Sequence, residues 1–165
     1  MAGPLRTIVG ASALPLFFLL SCAPIPSYAA LQSNLGGIKK MTCTFSLRAS
    51  GTWTAGVVGA AVNQPARPLV LRFEAIDVDG GTADAFGAFV GVELASPILV
   101  QRFGDGLQFT QMLRSGPLYA TTVFNQESRP GKLKAVHVRH ESSPVAVPGF
   151  TSTPEQYFGD CETTR

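Results

Sequence analysis

From residue 38 onward, apolar and polar positions along the chain alternate with a period of two. Met41, Cys43, Phe45 and Leu47 interleave with Lys40, Thr42, Thr44, Ser46 and Arg48, the pattern of a strand with one face in a core and one in water. Comparable runs follow at Leu69–Ala75, Phe86–Leu94, Leu107–Leu113, Tyr119–Phe124 and Leu133–Arg139, with further strands expected at Gly51–Val62 and Ile98–Phe103. Turn-forming residues separate them: Ser50-Gly51, Asp79-Gly80-Gly81, Ser96-Pro97, Gly104-Asp105-Gly106, Ser115-Gly116-Pro117 and Pro130-Gly131. No stretch has the 3.6-residue period of an amphipathic helix. The pattern predicts an all-β domain, about eight antiparallel strands in a meander. Closure into a small β-barrel is favoured over a β-sandwich because it removes unpaired edges. Phe45, Leu71, Phe73 and Phe109 are the large side chains expected inside.

By strand count this pattern resembles the small eight-stranded ligand-binding barrels of the lipocalin and avidin kind. Gly51-Thr52-Trp53 shares the letters of a lipocalin-style Gly-x-Trp but follows a strand already in progress. Trp53 is expected as a plug at one end of the barrel.

The ends of the chain read differently. Arg6 precedes the uncharged run Ile8–Leu20, Pro24 and Pro26 break it, and Ser27-Tyr28-Ala29 offers small residues for cleavage. Residues 1–29 therefore read as a signal peptide, with an apolar run too short to span a bilayer as a helix. The overlapping Leu19-Leu20-Ser21-Cys22 resembles a bacterial lipobox, which makes Cys22 a lipidation site on the alternative reading. Residues 30–37 read as a flexible lead-in and 38–165 as a single domain. After His140, the prolines at 144, 148 and 154 predict an irregular C-terminal arm over 141–165. Cys43 and Cys161 remain as an even pair, expected to form a disulfide in an oxidising compartment. The expected location is secreted or periplasmic, or membrane-anchored if Cys22 is lipidated, with no transmembrane span in the mature form.

Composition narrows the function classes. The 165 residues carry a formal charge of only +2, too small to steer the protein to nucleic acid. At 45% hydrophobic and 15% charged, the chain is built to fold rather than to stay disordered.

His137 and His140 are the two histidines. Three apart on a strand, they point to opposite faces and cannot share a metal. His137 and Arg139 do share a face, and with Leu133 and Ala135 they would form a polar floor under an apolar interior. They are the ligand-binding candidates. Asp77, Asp79 and Asp84 flank a Gly-Gly turn without completing a calcium loop. No metal site, catalytic residue, nucleophile elbow, phosphate loop or cofactor motif is read. The function expected is that of an exported, non-enzymatic barrel binding a small apolar ligand or a protein partner. A structural or lipid-anchored envelope protein with a filled barrel is the alternative, and a hydrolase without a visible motif comes third.

Overall fold

A computed structural model of the chain describes residues 35–87, 95–112, 114, 117–141 and 153–164. Residues 1–34, which include the expected signal peptide and Cys22, together with residues 88–94, 113, 115–116, 142–152 and 165, lie outside the described residues. A short 3-10 turn, Leu35–Gly37, leads into nine strands. These are β1 (Lys40–Thr54), β2 (Val57–Asn63), β3 (Leu69–Asp77), β4 (Thr82–Phe86), β5 (Ser96–Phe103), β6 (Gly106–Met112), β7 (Leu118–Arg129), β8 (Lys132–His140) and β9 (Glu155–Thr164).

Eight of them close into an antiparallel barrel, and β2 stays outside. The closure depends on β1. One edge of β1 pairs with β9 from Lys40 to Ser50, while the other pairs with β3 only over Met41–Phe45. Beyond that point β2 takes over the second edge, from Arg48 to Thr54. The β1–β2 hairpin thus runs past the rim of the barrel.

The alternation read from the sequence is the alternation of burial. Met41, Cys43, Phe45, Leu71, Phe73, Val100, Leu107, Phe109 and Val123 are sealed inside. The Phe73 and Phe109 rings stack with centroids 4.2 Å apart across the middle of the interior. Leu35 and Ile76 close the end where β1 begins. Cys43 and Cys161 sit directly opposite each other on β1 and β9, fully buried and joined by a disulfide with Cα atoms 3.9 Å apart.

Several elements differ from the sequence reading. The expected turn at Ser50-Gly51 is interior to β1, with Gly51 paired to Ala60; the chain reverses instead at Ala55-Gly56. Ser96-Pro97 opens β5 rather than forming a turn, and the fourth strand is Thr82–Phe86, ending where the sequence reading began it. Trp53 does not plug the barrel. It stands 65% exposed on the outlying hairpin.

The largest change concerns the C-terminal arm: residues 155–164 form β9, laddered to both β1 and β8. Its alternation is hard to see because Glu155 takes an inward position and Gly159 passes against β1. A Cβ at Gly159 would lie 2.0 Å from the Thr44 carbonyl oxygen.

Candidate functional site

A single β-bulge decides what β1 contributes. The register against β9 shifts between Phe45 and Leu47. Met41, Cys43 and Phe45 point inward before the shift, and Arg48 and Ser50 do so after it, opposite the buried Tyr157 and Glu155. Bulges re-aim side chains in this way. An arginine thereby enters the end of the barrel where β1 leaves it.

That end holds a polar cluster. Register brings its members together: Thr121 lies opposite His137, Tyr119 opposite Arg139, His137 opposite Tyr157, and Arg139 opposite Glu155. The sequence-predicted pair, His137 and Arg139, does share the inward face, while His140 is exposed on the other side. The Arg139 guanidinium donates to Glu141 Oε1 at 2.8 Å and lies 4.0 Å from Glu155 Oε2. The Tyr119 hydroxyl donates to Glu141 Oε1 and the Tyr157 hydroxyl to Glu155 Oε2, each at 2.5 Å. Arg48 Nη1 donates to Glu155 Oε1 at 3.1 Å, and Arg48 Nε to Asn63 Oδ1 at 3.2 Å. An ionic chain Arg48–Glu155–Arg139–Glu141 results, flanked by two tyrosines. Below it, Thr121 Oγ1 and His137 Nδ1 are hydrogen-bonded at 2.8 Å.

Every buried side-chain polar atom among the described residues has a partner. The electrostatics follow from burial and pairing. Desolvation, aided by the Arg139 charge, lowers the His137 pKa to about 3, so the ring is neutral at physiological pH. Burial, then the hydrogen bond and charge of Glu141, raise Tyr119 to about 12. Burial, then the hydrogen bond and charge of Glu155, push the Tyr157 pKa above its ordinary value. For Arg139, burial works against the charge, but Glu141 and Tyr157 outweigh it and hold the pKa above its ordinary value. A neutral histidine and two tyrosines held protonated by their acceptors are poor proton carriers near pH 7. The chemistry of this cluster is that of a clasp.

The space around it is small. Leu71, Phe73, Phe109, Tyr119, Thr121 and His137 border a cavity of about 20 Å³, enough for one water. A larger, open groove of about 540 Å³ lies on the outer wall, between Ala75, Asp84, Pro97, Leu99, Met112 and Leu118. Asp77 Oδ1 accepts the Gly80 amide at 3.1 Å, an ordinary Asp turn. Among the described residues no three His, Cys, Asp or Glu side chains are placed to hold a metal, and no helix is long and apolar enough to cross a membrane.

Sequence reasoning missed Arg48, Tyr119, Glu141, Glu155 and Tyr157. A usable signal existed for two of them. Glu155 and Tyr157 are spaced by two, like His137 and Arg139 on the strand they pair with. Comparison of the chain with known proteins finds no matching family model, no similar curated sequence and no similar solved structure.

Proposed function

We propose that this chain is an exported, non-enzymatic protein of the cell envelope whose barrel is filled by its own side chains and which works through its outer surface. One observation carries the reading. Among the described residues, the interior space bordered by Leu71, Phe73, Phe109 and His137 is about 20 Å³, against the roughly 300 Å³ or more of a typical small-molecule pocket. An eight-stranded barrel is just wide enough for side chains to fill it, and the buried rings of Phe45, Phe73 and Phe109 support that reading. His137 and Arg139 then serve the clasp rather than a ligand. Export is supported by the leader-like residues 1–29 and by the buried disulfide, which suits an oxidising compartment. Removal of the leader at Ala29 is the favoured processing, with lipidation at Cys22 the alternative.

Native mass spectrometry of the protein recovered from the exported fraction tests this. The expected result is a mass equal to the bare processed polypeptide and no saturable uptake of a fluorescent fatty acid. A stoichiometric co-purifying apolar compound, displaced by substitutions at Phe109 or His137, would overturn it. A second reading, an apolar ligand carried outside the barrel, is favoured by the 540 Å³ outer groove. In that case substitution of Leu99 or Met112, not of Phe109, would abolish probe uptake.

A further inference from the structure

The hairpin that leaves the barrel contributes nothing to the core, since every residue from Thr52 to Gln64 is exposed. Its register sorts its side chains. Trp53 is opposite Val58, Gly51 opposite Ala60, and Ala49 opposite Val62, so these six share one face. Thr54, Thr52, Ser50 and Arg48 lie on the other with Val57, Gly59, Ala61 and Asn63. One face is wholly apolar. It continues the outward positions of the barrel wall through Leu47, which pairs with Phe158, which in turn pairs with Val136.

Three further observations bear on what covers this ribbon. The 18 positions from Ala49 to Ala66 carry no charge, although exposed edge strands are usually guarded by charged residues. The turn is also apolar at a conformational cost. Ala55 adopts φ 51° and Gly56 φ 80°, the positions where hairpins ordinarily place Asn-Gly or Asp-Gly. An alanine there accepts strain that a polar residue would relieve. Finally, among the described residues Arg67 and Arg114 are exposed in connections at this end of the barrel, whereas the carboxylates of Glu141 and Glu155 are buried against arginines. Among the described residues at this end, the charge left facing outward is cationic.

We infer that the β1–β2 hairpin seats on an anionic lipid surface, laying the Trp53–Val58 tip into the interfacial layer with Arg67 and Arg114 at headgroup level. Beyond Gly51 the ribbon projects about 10 Å at strand rise. That matches the roughly 5–10 Å depth of interfacial elements. It is far short of the roughly 30 Å hydrocarbon core. The unpaired edge of β2 must stay hydrated, which also limits the ribbon to the interface. This surface is separate from the interior on which the filled-barrel reading rests.

Trp53 is the chain's one tryptophan and reports on the site directly. The exported protein is titrated with phosphatidylcholine vesicles, with and without phosphatidylglycerol, whose acyl chains are brominated at shallow or deep positions. The inference predicts a blue shift and strongest quenching by shallow bromines, dependent on phosphatidylglycerol and weakened by salt. Val58→Ser should lower the partition coefficient about tenfold. Ala55→Asn should fold at least as well, judged by circular dichroism and urea unfolding, yet partition several-fold less. Unquenched Trp53 in vesicle-bound protein would overturn the inference, because attachment would then lie elsewhere. So would a dimer in vesicle-free sedimentation that shields Trp53 from iodide, which assigns the ribbon to a second copy. Neither failure would alter the interior or its test by native mass spectrometry.

Discussion

Replacing both Cys43 and Cys161 with alanine tests how the barrel is closed. The bridge encloses a loop with a sequence separation of 118. The chain-entropy relation gives about 4–5 kcal/mol for a loop of that length, an upper figure because residual structure in the unfolded chain subtracts from it. Alanine is the appropriate replacement because both sulfurs are fully buried, and a serine hydroxyl there would add its own desolvation penalty. The loss should appear as a drop in overall stability rather than as release of a tail. β9 is held by β1 along one edge and β8 along the other, so its ten residues cannot leave without opening the barrel. Urea unfolding of the double variant, followed by circular dichroism and by limited proteolysis with mass readout, should therefore give one transition, with residues 155–164 cleaved only as the rest unfolds. A loss below about 1 kcal/mol would refute the entropy argument. Early, separate cleavage inside β9 would refute the claim that the strand is integral.

Other expectations follow from the polar end and the tight seam. His137 has a folded pKa near 3 against 6.5 when exposed, so between those values the unfolded state binds the extra proton. Its contribution is fully present above pH 6.5 and is lost as pH falls toward 3. Urea titrations at stepped pH should show stability falling over that window, with His137→Gln reducing the slope by about one proton equivalent. Arg139→Leu removes the cation paired with the buried Glu141, while Glu155 keeps Arg48, and should cost about 3–5 kcal/mol in equilibrium denaturation. Adding Glu141→Leu should cost less than the sum of the two single changes. Gly159→Ala forces a Cβ against the Thr44 carbonyl and Phe45 Cα; a loss of at least about 2 kcal/mol is expected, and a neutral result would show that the β1–β9 seam can spread.

Alternation was sufficient to read the barrel because most strands expose one face and bury the other, as Met41–Phe45 and Leu69–Phe73 do. It failed where the inward side chain is polar. Glu155 occupies a core position with a charge that Arg48 and Arg139, 107 and 16 residues away in sequence, balance. No local pattern encodes that. It failed again at Gly51, where a turn-forming pair sits inside a strand because β2 is there to pair with it. The candidate site was half legible: the shared face of His137 and Arg139 follows from a spacing of two. Their partners follow from register and from the bulge after Phe45, which turns Arg48 inward. A bulge is invisible to any period-two reading.

The pairing of β1 with β9 also sets the order of events as the chain emerges. Each strand from β3 to β8 finds its next neighbour within a few turns of chain, so the sheet can grow stepwise behind a ribosome or translocation pore. The edge of β1 that β9 will cover stays bare throughout, with Met41, Cys43 and Phe45 beside it. Only when the Glu155–Thr164 segment arrives can that edge be paired and the two cysteines meet. Oxidation of this pair therefore marks a closed barrel, and a chain stalled before Glu155 stays an open, adhesive sheet that quality-control proteases can recognise.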